Sequence, residues 1–161
     1  MGLDKNTAVV VTVSDGVSAG VREDGSGDAL ETILTDVGFA VGRRLVPDEM
    51  DQIVEAIRES AGDAGLILTT GGTGFGPRDV TPEATASILE REAPGLVHVM
   101  ISKGLESTPM AALTRARAGD LSGSLVINLP GSPKAATESL EAIIDLLPHA
   151  LQLLSGDTQH D

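Results

Sequence analysis

Along the chain, short apolar runs alternate with stretches whose apolar residues recur every three or four positions. Residues 8–13 form a continuous, mostly β-branched run, which suits a strand buried on both faces. Leu30, Ile33, Leu34 and Val37 then follow at helical spacing, stopped by Gly38. The pattern repeats. A strand over about 40–46 leads to Met50, Ile53, Val54 and Ile57 on one helix face. Residues 66–68 lead through a glycine-rich turn to a helix expected over 82–92, broken by Pro94-Gly95. Residues 96–105 predict another helix, and 109–117 a short helical piece ending at Gly119. Finally the strand 125–129 leads to a helix seated by Ala136, Leu140, Ile143, Ile144 and Leu147. Strands alternating with helices imply an α/β fold, a mostly parallel sheet covered on both faces, in a single domain. That domain is expected over 8–154, with tails at 1–7 and 155–161, the latter polar and frayed.

Composition narrows the chemistry. With 161 residues the chain can bury a real core, and with two phenylalanines and no Trp or Tyr that core must be aliphatic. Only Phe39 and Phe75 can stack on a ligand ring. Absence of cysteine excludes disulfides, thiolate chemistry and zinc–cysteine sites. His98, His149 and His160 lie too far apart for an H-x-x-x-H metal pair. No apolar span of about 18 residues occurs and the N-terminus lacks a hydrophobic signal core, so a cytoplasmic protein without membrane attachment is expected. Met1-Gly2 opens like a myristoylation site, but Asn6 stands at the Ser/Thr position. With 11 basic against 24 acidic residues the net charge is −13, which repels nucleic acid. An anionic substrate would need local cations, for which Arg22, Arg78, Lys103, Arg115, Arg117 and Lys134 are the candidates.

Residues 65–83 carry the densest chemistry. Gly71, Gly72, Gly74 and Gly76 follow the apolar run, so the backbone can take positive φ and present bare N–H groups. Arg78 adds a fixed cation, Asp79 a carboxylate able to hold a divalent ion, and Thr81-Pro82 an N-cap with a first-turn proline. No Gly-Lys-Ser/Thr follows, and Pro77 replaces the third glycine of G-x-G-x-x-G, so neither common nucleotide motif is present. Two readings stay open, a phosphate loop or a tight turn. Asp48 likewise is either the N-cap of the next helix or a second carboxylate facing Asp79 and sharing magnesium with it. Ser132 and Pro133 cap the last helix beside Lys134, either as a plain cap or as a second anion site. A polar loop from Ser14-Asp15-Gly16 to Gly27, holding Arg22, Glu23, Asp24 and Ser26, is long for a strand–helix connection. All these loops follow strands, so they gather on one rim.

Gly71-Gly72-Thr73-Gly74, followed by Pro77-Arg78-Asp79-Val80-Thr81-Pro82-Glu83-Ala84-Thr85, resembles the MoaB/Mog family of molybdenum-cofactor biosynthesis. That family includes molybdopterin adenylyltransferases and the G domain of gephyrin. The resemblance runs over about 8–154 and includes Ser14-Asp15 with Gly20, Asp24-x-Ser26-Gly27, Val46-Pro47-Asp48-Glu49, Thr108 through Arg115, and Asn128-x-Pro130-Gly131-x-Pro133. It implies a three-layer α/β/α sandwich, a homotrimer, and transfer of AMP from Mg-ATP to the molybdopterin phosphate before a molybdenum-insertion protein acts. It implies Asp48 and Asp79 as catalytic residues holding Mg2+, with Gly71, Gly72, Thr73, Gly74 and Arg78 cradling anionic oxygens. Ser14, Asp15, Ser26, Thr114, Arg115, Gly131, Ser132 and Lys134 are implied in the pterin and phosphate pocket. Thr114 departs from the serine usual in the family, and its extra methyl group crowds the pocket. The competing reading is a non-catalytic molybdopterin carrier or oligomeric scaffold of the same family. A third reading, a generic nucleotide-binding hydrolase, is weakened because this chain lacks a Walker lysine and a positioned histidine base.

Overall fold

A computed structural model describes residues 4–158. The chain runs through β1 (Asp4–Val13), the single turn α1 (Asp15–Ser18), α2 (Gly25–Asp36), β2 (Ala40–Val46), α3 (Met50–Ala61) and β3 (Ala64–Thr70). It continues through α4 (Thr81–Ala86), β4 (Arg91–Glu92), α5 (Pro94–Leu105), a 3-10 turn (Pro109–Leu113), β5 (Ala118–Leu121) and β6 (Ser124–Leu129). It closes with α6 (Pro133–Ile143), a 3-10 turn (Ile144–Leu146) and α7 (Leu147–Leu154). The sheet order is β2-β1-β3-β6-β5-β4. The first four strands are parallel, while β5 runs antiparallel to both β6 and β4.

The central strands are apolar without alternation because both of their faces are covered. On one face Val10, Leu68 and Ile127 meet Leu30 and Leu34 of α2 and Leu140 and Ile143 of α6. On the other, Val11, Ile67 and Val126 meet Ile53 and Ile57 of α3 and Ala84 of α4. The core is aliphatic, as the composition requires. This is the three-layer α/β arrangement expected from the alternation of elements.

Several expectations change. β1 begins at Asp4, because the preceding residues also pair: Asp4 sits opposite Ala64 and Thr7 opposite Ala40. The helix expected over 82–92 stops at Ala86. Arg91 and Glu92 instead form β4 against β5, which starts at Ala118, while the helical piece expected over 109–117 is present as the shorter 3-10 turn Pro109–Leu113. The reason is tertiary: nearly buried Asp120 accepts from the Arg91 backbone amide at 3.1 Å and pairs with its guanidinium. The last helix also divides, because Pro148 lacks an N–H and starts a new first turn in α7. Beyond α7, Gln152 Nε2 donates to Asp157 at 3.3 Å. The readings made of Met1-Gly2 and His160 lie outside the described residues.

Asn128, fully buried in β6, joins several of these elements. Its Nδ2 donates to the hydroxyls of Thr69 in β3 and Thr85 in α4, each at 2.9 Å, and its Oδ1 accepts from Arg117 N at 3.0 Å. Asn128→Ala strands three partners at once. It is expected to lower unfolding stability by about 2–4 kcal/mol, read from the urea midpoint at unchanged slope.

Candidate active site

The carboxyl ends of the four parallel strands meet on one rim, and the glycine turn after β3 is fitted between them. Gly71 N donates to Leu129 O at 3.1 Å, at the end of β6. Gly71 and Gly72 have φ of 104° and 68°, a region that favours glycine. A Cβ on Gly71 would strike the Val13 carbonyl at the end of β1, and one on Gly72 the Thr81 hydroxyl. Thr81 is not the helix cap expected from sequence; Val80 holds that position. Instead Thr81 Oγ1 donates to Gly71 O at 3.0 Å and Thr81 N to Gly72 O at 3.2 Å, which locks the turn.

Two aspartates bracket each other across the ends of β1 and β2. Asp15 N donates to Asp48 Oδ2 at 2.9 Å, and Asp48 N donates to Asp15 Oδ1 at 3.0 Å. Asp48 is therefore not the cap of α3; Glu49 takes that position, without a side-chain cap bond. Arg78 closes the cluster. Its Nε and Nη2 donate to the Asp15 carboxylate at 3.0 and 3.1 Å, and Nη2 also donates to Glu49 at 2.8 Å. The Arg78 guanidinium, helped by the Asp48 amide, holds the Asp15 carboxyl below its ordinary value. Burial pushes Asp48 upward, and the charges of Asp15 and Asp79 add to this against the opposing hydrogen bond from the Asp15 amide. Asp79 is oriented by the Gly76 amide, which donates to its Oδ2 at 2.9 Å.

Asp48, Asp79, Ser14, Ser26, Gly71, Gly72, Gly131 and Ser132 line one cavity of about 540 Å3. Glu23 and Asp24 add two more carboxylates, against a single lining cation among the described residues, Arg22. Arg22 makes no ion pair among the described residues. A second cavity, of about 250 Å3, lies between α5, the 109–113 turn and α6. Its walls are largely apolar, with Val97, Met100 and Met110 among them, and Thr114 lines it too. Ser132 lines both cavities. It also caps α6, its hydroxyl accepting from Ala135 N at 3.2 Å.

Other expected site residues take different places. Arg115 belongs to neither lining. It stands behind the glycine loop, where its Nε donates to Gly74 O and its Nη2 to Asp79 O, each at 2.8 Å, while it pairs with Glu83 and covers the Phe75 ring. Thr73 is buried, and its carbonyl accepts from Arg115 N at 2.8 Å. Lys134 is exposed and outside both linings. Thr114 Oγ1 accepts from Ala116 N at 3.2 Å. Sequence reasoning did not count Asp24 as a site residue. It caps α2 through Gly27 N at 3.0 Å and accepts from Thr12 Oγ1 at 2.7 Å, with Arg43 of β2 at 2.5 Å. An arginine on an edge strand gives no sign in sequence of such a role. No cluster of three or more His, Asp or Glu able to cage a metal occurs among the described residues.

A family described as "Probable molybdopterin binding domain" matches residues 9–149. The chain belongs to that family. It is 40% identical to the molybdenum cofactor synthesis protein cinnamon of Drosophila melanogaster, over 96% of this chain but only 26% of that protein, so it spans about a quarter of that relative. It is 37% identical to the molybdopterin adenylyltransferase of Helicobacter pylori strain J99, over 92% of this chain and 87% of that one. The crystal structure of the molybdopterin biosynthesis enzyme MoaB from Thermus thermophilus superposes with a TM-score of 0.88 at 48% identity, covering 93% of this chain and 96% of that chain.

Two measurements test how this family member builds its rim. Gly71→Ala is expected to destabilise the fold by about 3 kcal/mol, from positive φ together with the Val13 contact. Gly38→Ala, with φ of 103° but open space around it, should cost only about 1–2 kcal/mol. Thermal unfolding of both variants separates the contact from the backbone strain. In an NMR titration Asp15 should ionise below 3.8, with its midpoint moving up toward that value in Arg78→Gln. The sign follows from the lowered folded value: the stabilisation is complete above the unfolded value and lost as pH falls through the folded one.

Proposed function

We propose that the chain is a molybdopterin adenylyltransferase, which transfers AMP from ATP to the terminal phosphate of molybdopterin and releases pyrophosphate. The observation that carries this reading is the pairing of an acid-lined polar cavity with an apolar one through their common wall at Ser132. A substrate pair made of a nucleotide triphosphate and a pterin phosphate fits that division. The names of the Helicobacter relatives support the same activity.

In the reaction a molybdopterin phosphate oxygen forms a bond to the α-phosphorus of ATP. The bond from that phosphorus to the bridging oxygen breaks, and pyrophosphate leaves. No side chain need become a covalent nucleophile, so the protein's work is positioning and charge neutralisation. Four lining carboxylates against one arginine would repel a bare triphosphate. Magnesium resolves this, since it is held by one or two carboxylates plus substrate phosphates rather than by a protein cage. Asp48 and Asp79, on the wall of one cavity, fit that donor set, and the ion supplies charge neutralisation at the phosphates.

The backbone at Gly71 and Gly72 approaches the phosphates without side-chain screening, with Thr73 and Gly74 continuing the loop. Arg22 is the cation facing them. Arg78 keeps Asp15 against Asp48 through its Nε and Nη2, which engage Asp15 and Glu49, and lies outside the cavity lining. Ser14, Ser26, Gly131 and Ser132 border the nucleotide and the transferred phosphate, and Thr114 borders the pterin. Arg115 supports the loop from behind, and Lys134 adds positive potential from the surface. Homotrimer formation is part of the proposal, supported by exposed Leu105, Met110 and Leu113 at and beyond the end of α5. So is delivery of the adenylylated pterin to a molybdenum-insertion protein in the cytoplasm. No described helix is long and apolar enough to cross a membrane.

Asp79→Asn is expected to lower AMP transfer on the order of a hundredfold or more while leaving circular dichroism and oligomer size unchanged. Adenylylated pterin and pyrophosphate are followed by mass spectrometry with Mg-ATP and molybdopterin. Normal turnover by the variant would refute the magnesium assignment.

A further inference from the structure

Among the described residues the apolar cavity contains one charged side chain, Glu138 of α6. The residue is half-buried, and its Oε1 accepts from Ser107 Oγ at 2.9 Å. Most other polar groups in the lining are already engaged within the protein. The hydroxyls of Thr108, Thr114 and Ser132 accept from Met110, Ala116 and Ala135 amides. Asn128 uses its amide on Thr69, Thr85 and Arg117. Glu138 is thus the strongest acceptor the cavity offers to a ligand, because a carboxylate has about four lone-pair positions and one is taken.

A pterin presents the complementary edge. Its 2-amino-4-oxopyrimidine ring carries N3–H and the exocyclic 2-amino N–H side by side, two parallel donors that a carboxylate accepts in bidentate fashion. We infer that Glu138 is the specificity-determining residue for the pterin, reading its N3–H and 2-amino edge while apolar walls cover the ring. The inference rests on the adenylyltransferase reading and adds the atom-level basis for choosing a pterin. Its geometry also sets the direction of the substrate. With the pyrimidine edge at Glu138, the far side of the pterin and its phosphate point toward Ser132 and the acidic cavity.

The test uses Glu138→Gln, which keeps the shape and removes the charge. In AMP transfer with Mg-ATP, KM for molybdopterin is expected to rise on the order of tenfold, with KM for ATP unchanged. A merely structural role for Glu138 would not alter discrimination between rings, so two competitive inhibitors are compared, 6-hydroxymethylpterin and 6-hydroxymethyllumazine. Lumazine carries an oxygen in place of the 2-amino group, and a carboxylate repels it. Wild-type protein should prefer the pterin on the order of tenfold or more, and Glu138→Gln, whose amide donates to that oxygen, should lose most of this preference. Unchanged KM for molybdopterin and unchanged preference, in a variant that still turns over, would overturn the inference alone. Wild-type protein that fails to bind molybdopterin at all would overturn the adenylyltransferase reading and this inference with it.

Discussion

At Gly71 the chain leaves β3 between the ends of two other strands, with no room for a side chain. Its amide reaches Leu129 at the end of β6, its α-carbon faces the Val13 carbonyl at the end of β1, and Gly131 packs against it from the next loop. Thr81 then ties the turn to the start of α4. If those backbones stood apart by the width of a methyl group, the loops after β1, β3 and β6 would no longer share one cavity. Positive φ and close approach are therefore required at the same atom, and only glycine meets both.

Charge is arranged around that turn with an apparent contradiction. A protein of net charge −13 lines its polar cavity with four carboxylates, although its proposed substrates are anions. The contradiction dissolves if the acids exist to recruit a divalent cation with the nucleotide, because a carboxylate pair draws Mg2+ where arginines would bind phosphate directly. Arg78 belongs to this logic. It neutralises Asp15, and Asp15 and Asp48 hold each other's backbone amides, so the orientation of Asp48 depends on an ion pair outside the cavity lining.

The apolar cavity obeys a different rule. The hydroxyls of Thr108, Thr114 and Ser132 and the Asn128 amide are already engaged, so the protein offers a ligand mostly surface rather than hydrogen bonds, with Glu138 as the strongest acceptor. A site built this way gains affinity from burial and selectivity from a single polar contact. Ser132, capping α6 where the two cavities meet, joins the regime of charge to the regime of burial.

The largely apolar runs at 8–13 and 125–129 and the helical spacing of Ile53 and Ile57 were enough to read a doubly covered, mostly parallel sheet, because burial on both faces removes the polar alternation of a strand. The Asp-x-Ser-Gly, Pro-Asp-Glu and glycine-rich motifs marked the loops that line the rim, since they follow strands of that sheet. What local pattern did not carry was any feature made by partners distant in the chain. β5 is four residues of Ala, Gly, Asp and Leu, and it becomes a strand through pairing with Arg91 and Ser124. One of the two readings of Asp48 was a helix cap, and Arg78 and Arg115 read as phosphate ligands. Each was assigned otherwise by a neighbour 33 to 63 positions away. The sequence by itself determined the layers and the rim on which chemistry gathers; tertiary structure alone decided which charges face the cavity and which hold its walls, because an ion pair is a matter of distance in space, which spacing along the chain does not encode.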